Sequence, residues 1–596
     1  MELTWLDQVI IGAYFVLMVV VGILWKGRAG RSAADFFVSG RSMPWWLAGT
    51  SMVATTFAAD TPLAVTGLVV RHGLAGNWFW WSMAVGGMLT VFVFSHLWRR
   101  AEVMTDVELI ELRYGGKPAA ALRAFRAVYL VLIINPIVMG WVTGAMLKVI
   151  HYGLLGSDQG VASRQTWADL YIIALLLASV GLYSVAAGLW GVAITDLVQF
   201  VLAMGGCVAL AVLAVRHVGG LRELERQIVE QFGSDEPLRL LPDFASTDPW
   251  MPLGSFAIML GVLWWASWYP GAEPGGGGFI VQRMAACRDE RHARLATLWF
   301  QLAHYCLRPW PWLLVALAAL LIIPDLHEAQ DPDAGYVLVM RRLAPSGLRG
   351  LLLVTFFAAY MSTISTQVNW GASYLVRDLY ERFWYPNASQ RQLVRASRWA
   401  SLLVLCLGAL ASWWMRHLSV DTAWKFLAAL GAGTGAVFMA RWFWWRINAW
   451  AEIAAMIASL IIFGAIQWAT RACPWREEYV LAVNAVLTCV VWLAVMWLTP
   501  PEAPEVLVRF FRKVRPPGWG WAHVRRLAPD VETDRDLGRS VAAAASGLGL
   551  LYGTLFAIGG VLLAKHAVAL VSAIVALLGA AGVWVCTSIG KTGSPK

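Results

Sequence analysis

The sequence predicts an all-α polytopic membrane protein, and three observations carry that prediction. Of 596 residues, 59% are hydrophobic and 14% charged, where a soluble domain carries about 25% charged residues. Fifteen apolar stretches are long enough to cross a bilayer core, which takes about 20 residues per helix. Two of these stretches are interrupted by Gly and Pro at matching places in the chain.

The first stretch, 6–25, follows an acidic segment containing Glu2 and Asp7 and ends at Lys26 and Arg28. A cleaved signal needs a basic start, so this is a retained span with its N-terminus outside. Further spans are expected at 43–70, 74–98, 127–150, 165–185 and 190–215, and again at 252–282, 295–323, 347–376, 399–415 and 419–440. The last four fall at 449–469, 479–498, 541–563 and 567–587. With the first terminus outside, the inner segments hold 31 of the 47 Lys and Arg and the outer segments 12, the other four lying within spans. This positive-inside excess accounts for the net charge of +10 and leaves no call for a nucleic-acid partner. The C-terminus then lies in the cytoplasm and the protein in the plasma (inner) membrane.

These spans divide the chain into an N-terminal span and inner loop (1–42), a five-helix unit (43–216), an outer loop (217–251), a second five-helix unit (252–445), two accessory spans (446–498), a basic cytoplasmic linker (499–540) and two C-terminal spans with a tail (541–596). In the outer loop Leu221, Leu224 and Ile228 mark a surface helix. In the linker, Val506–Val514 reads either as an amphipathic helix on the inner leaflet or as a solvated loop. The seven Cys lie singly, with no C-x-x-C spacing, and no H-E-x-x-H or G-x-S-x-G motif occurs, so redox, metal and hydrolytic chemistry have no visible basis.

The interruptions are T-T-F-A-A-D-T-P at 55–62 and Y-P-G-A-E-P-G-G-G-G at 269–278. Non-helical backbone at membrane depth is tolerated where it is buried in protein or lines a cavity, and paired breaks in two halves of a chain point to a transporter's binding site. Among the ionisable groups within spans, five stand out: Asp60, Asp196, Glu273, Arg308 and Lys425. Such groups are costly and mark function by default, although Lys425 is close enough to a helix end to snorkel outward. The ninth span carries hydroxyls at Ser362, Thr363, Ser365 and Thr366. Hydroxyls beside carbonyls freed at 55–62 suit a monovalent cation, though hydroxyls in a helix also bond back to their own carbonyls.

A-A-Y-M-S-T-I-S-T at 358–366 followed by R-D-L-Y at 377–380, Y-S-V-A-A-G-L-W-G-V-A-I-T-D-L-V-Q at 183–199 and Q-R-M-A-A at 282–286 resemble the sodium/solute symporter family. F-F-V-S-G-R-S-M-P-W-W at 36–46 and M-T-D-V-E-L-I-E-L-R-Y at 104–114 match it as well. The resemblance implies a LeuT-like 5+5 inverted repeat, here with one extra N-terminal and about four extra C-terminal spans. It also implies Na⁺ as the coupling ion with no other cofactor. A sodium site carries over onto the carbonyls of Ala54, Phe57 and Ala359 and the side chains of Ser362 and Thr363. A second carries over from the sialic acid symporters onto Asp196, Ser362, Ser365 and Thr366, where the alternative is an Asp196 that only hydrogen-bonds these hydroxyls.

The expected function is sodium-coupled import of a small polar organic solute by alternating access. A membrane solute sensor on the same fold is the alternative, and an enzyme is not expected. The solute is expected between the two breaks, touching Asp60, Thr61, Trp265, Trp268 and Glu273, with Arg308 and Asn135 as neighbours. Carboxylates that accept hydroxyl hydrogen bonds, beside Trp faces that stack on rings, favour a sugar or polyol; an ammonium held by Asp60 is the competing reading, and an Asp60 neutralised by Arg308 is a third.

Overall fold

The computed structural model describes residues 3–29, 32–155, 166–246, 249–266, 275–329, 331–416, 431, 433–532 and 537–588. Among these the architecture is helical, with one isolated bridge between Met43 and Cys287. Among the described residues nine helices are long and apolar enough to cross a membrane, and two bent pairs raise that to eleven. Three shorter apolar helices, Trp5–Val21, Trp167–Gly181 and Leu253–Val262, add to them. Every window expected from the sequence coincides in whole or part with helix; most of 419–440, Lys425 included, lies outside the described residues, and its end falls in the helix Gly435–Phe443.

Several windows needed lengthening, among them 399–415, whose helix is Gln390–Met415. The helix Gly116–Gly153 begins eleven residues before its apolar window, because Lys117, Arg123 and Arg126 lower the hydropathy of its first turns. Arg123 is nonetheless buried, paired with Asp378 at 2.7 Å and Glu111 at 2.7 Å. The ninth span likewise runs on as Leu348–Trp384. The fifth and sixth windows join in one helical run, Thr166–His217, turned at Gly188, whose φ of 58° and ψ of −172° suit only glycine.

The hydroxyl-rich helix, Leu348–Ser373, sits at the centre. It packs against Trp5–Ala29, Trp45–Thr55, the Asn135–Gly153 helix, Thr166–His217 and Gln390–Met415, so its polar side chains face protein on every side. The outer-loop helix is present as Leu221–Phe232, with Leu224 and Ile228 buried. The last two helices, Leu537–Leu562 and His566–Ser588, form a hairpin with backbones in close approach: a Cβ on Gly579 would lie 2.3 Å from the Leu550 nitrogen. Small residues at such a crossing are how membrane helices pack.

The linker corrects one expectation. Residues Pro504–Val514 do form an amphipathic helix, but Leu507, Phe510, Phe511 and Val514 are buried in protein rather than turned to a leaflet. They share a cluster with Trp98, Trp442 and Trp521. Trp521 stacks on Phe510 at 5.4 Å and donates its indole N–H to the Trp442 carbonyl at 2.8 Å.

Candidate functional site

The second span breaks where the sequence places the break: the helices Trp45–Thr55 and Asp60–His72 meet at 59°. Residues 56–59 leave the helical ladder, so carbonyls near the end of the first helix are available to side chains. The Thr363 hydroxyl, with one hydrogen to give, lies 2.8 Å from the Thr55 carbonyl and 3.2 Å from the Ala359 carbonyl. On another side of the break, Arg308 donates to the Thr56 hydroxyl at 3.0 Å and the Val53 carbonyl at 3.4 Å. His304 joins it, one ring nitrogen 3.1 Å from the Thr56 hydroxyl and the other 3.2 Å from Arg308.

The residues expected at the first sodium site, Ala54, Phe57, Ala359, Ser362 and Thr363, are all buried. Thr363 links the break to Ala359 directly. Ser362 donates to the Asp196 carboxylate at 2.7 Å. A hydroxyl whose hydrogen is given to a carbonyl or carboxylate keeps lone pairs for a cation, so both side chains are oriented as oxygen donors. Oxygen ligands of this kind suit hard cations.

Asp196 is buried and organises a second polar centre. It accepts from Ser51 at 2.5 Å as well as from Ser362. Arg283 comes within 3.7 Å of it and donates to the hydroxyls of Ser51 at 3.1 Å and Thr366 at 2.7 Å and to the Gln282 side chain at 3.0 Å. Thr366 lies 3.0 Å from the Thr55 hydroxyl, and Ser365 donates to the Ser362 carbonyl at 3.1 Å. The four residues expected at the second sodium site are thus gathered, with a buried arginine among them, Arg283, that hydropathy alone assigns to an inner loop. The window 252–282 stopped one residue short of it. The Q-R-M-A-A motif was the available signal.

The solute residues are only partly brought together. Asp60 and Thr61 are buried at the start of the second half-helix, and the Thr61 hydroxyl reaches the Thr56 carbonyl at 3.4 Å, beside the threonine that Arg308 and His304 engage. Asn135 sits elsewhere on the bundle: it donates to the Gln367 carbonyl at 2.8 Å, one turn along from Thr363. Trp265 is half-buried, with its indole on the Gly261 carbonyl at 2.8 Å, and its backbone packs on Gly435. Trp268 and Glu273, with most of the second break, lie outside the described residues. Trp80 stacks on Tyr305 at 5.5 Å and meets His304 edge-on.

Two glutamines were missed. The Gln301 and Gln367 amides are buried and bond to no protein atom among the described residues. Gln301 precedes His304 by one turn and abuts Gly87, where a Cβ would lie 2.1 Å from its oxygen. Buried amides without protein partners call for water or a ligand.

A family model described as sodium:solute symporter family matches residues 36–461. The sodium/mannose cotransporter of Bos taurus is 25% identical over 501 residues, covering 77% of this chain and 78% of that protein. The sodium/glucose cotransporter of Vibrio parahaemolyticus is 23% identical over 501 residues, covering 80% and 88%. A solved structure of a Na⁺-coupled sialic acid symporter in a substrate-bound, outward-open state aligns with a TM-score of 0.67 at 18% identity, over 84% of this chain and 100% of that one. This likeness shows the fold, the LeuT-like helical architecture. The chain belongs to the sodium:solute symporter family, and is a sodium-coupled membrane transporter rather than an enzyme.

Proposed function

We propose that this transporter carries a sugar or polyol inward with sodium, and that the sodium binds between the break at 56–59 and the hydroxyl-rich helix. The ligands are the carbonyls of Ala54, Phe57 and Ala359 and the hydroxyls of Ser362 and Thr363. The observation that carries this reading is the Thr363 hydroxyl, 2.8 Å from the Thr55 carbonyl: one side chain couples the broken helix to the central one. A cation there would hold the two elements together, and its departure would free them to rock.

The solute lies against the same break, near Asp60, Thr61 and Arg308, with Gln301 as a further hydroxyl partner and Trp80 as a ring platform. Trp265, Trp268 and Glu273 are further candidate solute contacts, and Asn135 supports the central helix. The sodium/mannose and sodium/glucose cotransporters among the relatives favour a hexose-like solute. A second sodium at Asp196, Ser362, Ser365 and Thr366 competes with Arg283, which must withdraw to admit it. A coupling ratio of two that falls to one in Asp196→Asn supports the second ion, and a ratio of one unaltered by that change overturns it. The N-terminus faces out, the C-terminus faces the cytoplasm, and the five-helix units are 43–216 and 252–445.

Uptake of labelled hexoses and polyols into proteoliposomes under an inward sodium gradient tests the solute class. The reading expects sodium-dependent uptake of at least one and competition by its stereochemical neighbours. Uptake of an amine-bearing solute alone would replace the sugar with a cationic substrate at Asp60.

A further inference from the structure

Away from both polar centres, a cavity of about 460 Å³ opens where three separate segments meet. They are the end of the Ser95–Ala101 helix, the turn at 287–290, and the end of the linker helix Pro504–Val514. Six of its lining side chains are Lys or Arg and three are Asp or Glu. The acidic groups are engaged: Glu290 takes a two-pronged contact from Arg100 at 2.9 and 3.1 Å, Glu102 lies 3.5 Å from Lys513, and Asp289 caps the helix that follows it through the His292 amide. Arg512 pairs outside the cavity with Asp530 at 3.0 Å.

Three arginines remain without a carboxylate among the described residues. Arg99 is half-buried and donates to the carbonyls of Cys287 and Arg288, both at 3.0 Å. Arg288 donates to the Ser42 carbonyl at 3.3 Å. Arg515, in a left-handed turn with φ of 52°, ends the linker helix and lines the same space. Carbonyls fix the Arg99 and Arg288 guanidinium groups without neutralising them. The excess charge is felt nearby: burial first, and then Arg99, lowers the Arg41 guanidinium from its ordinary value.

We propose that this cavity is a binding site for a phosphate group, with Arg99, Arg288 and Arg515 as its unneutralised ligands. Guanidinium forks match phosphate oxygens in geometry and charge, and the volume exceeds what one phosphate fills, leaving room for the group that bears it. By the positive-inside pattern this face is cytoplasmic, where a phosphate arrives either on a soluble metabolite or on a lipid headgroup. Because the three arginines come from three segments, a bound phosphate ties the linker helix to the inner ends of the spans.

The test uses the purified full-length chain. In detergent, sodium phosphate titrated against sodium chloride at equal sodium and ionic strength reads the soluble source. In phosphatidylcholine nanodiscs with and without phosphatidic acid, the melting midpoint reads the lipid source. We expect saturable stabilisation in at least one arm, and affinity at least about tenfold weaker in Arg288→Gln and in Arg515→Gln, since each removes a charge-assisted hydrogen bond. Both side chains are exposed, and sodium-dependent stabilisation of each variant confirms its fold. Stabilisation by phosphate alone assigns a metabolite, and by phosphatidic acid alone a headgroup. The absence of saturable stabilisation in both arms, or equal stabilisation of both variants, overturns the proposal.

Discussion

Removing either charge of the Asp196 and Arg283 pair should be at least as damaging as removing both. Asp196 accepts two serine hydrogen bonds and stands 3.7 Å from Arg283, and both side chains are fully buried. In Asp196→Asn the guanidinium keeps only neutral acceptors on Ser51, Thr366 and Gln282. In Arg283→Gln the carboxylate keeps only the two serine hydroxyls. Stranding one member of a buried pair costs about 3–5 kcal/mol, whereas replacing both is often close to neutral. In the double variant each amide still has hydroxyl partners within reach, so the two losses should overlap by at least the smaller of them, about 3 kcal/mol or more. Melting midpoints of the four proteins, purified in one detergent at one sodium concentration, complete the cycle. The pairing account expects a double variant no less stable than the worse single. A double variant whose midpoint falls by the sum of the two single losses would refute it.

Three further outcomes are expected. Asp60→Asn abolishes solute binding while leaving sodium-dependent stabilisation intact; retained solute affinity would remove Asp60 from the pocket. Burial pushes the Glu111 carboxyl up, but hydrogen bonds from Arg382 and Arg123 outweigh it and hold the group below its usual range. Its stabilisation is therefore full above the unfolded value of about 4.3 and is lost as pH falls through the lower folded value, so Glu111→Gln should flatten the acid side of a melting-against-pH profile, and an unchanged profile would contradict this. Gly579→Leu forces a side chain into backbone 2.3 Å away and costs at least the roughly 1–3 kcal/mol of an overpacked core, read as a lower melting midpoint and earlier proteolysis between the last two helices.

Much of this was legible in the sequence because membrane spans announce themselves by hydropathy, and a break at 55–62 stands out by its Asp and Pro. The hydroxyl cluster of the ninth span was legible for the same reason, as a polar patch in an apolar helix, and Thr363 does meet the break. Hydropathy fails where charges are neutralised by partners distant in sequence. Arg123 looked like loop and is helix because Glu111 and Asp378 meet it. Arg283 looked like a loop cation and is buried because Ser51, Thr366 and Asp196 meet it. The linker helix showed its apolar face but not its partner, since Trp442 and Trp98 reach it only through the fold. Gln301 gave no signal, because a glutamine's lack of partners exists only in three dimensions.

The central claim is that sodium binds where the break meets Thr363 and Ser362. Sodium-dependent solute uptake in proteoliposomes, measured as the half-saturating sodium concentration for wild type, Thr363→Ala and Ser362→Ala, tests it most directly. Each substitution deletes one oxygen ligand, and the expected result is a half-saturating concentration raised by about tenfold or more in both, matching the loss of roughly 1.4 kcal/mol or more of ion binding. Sodium dependence unchanged in both variants would contradict the account.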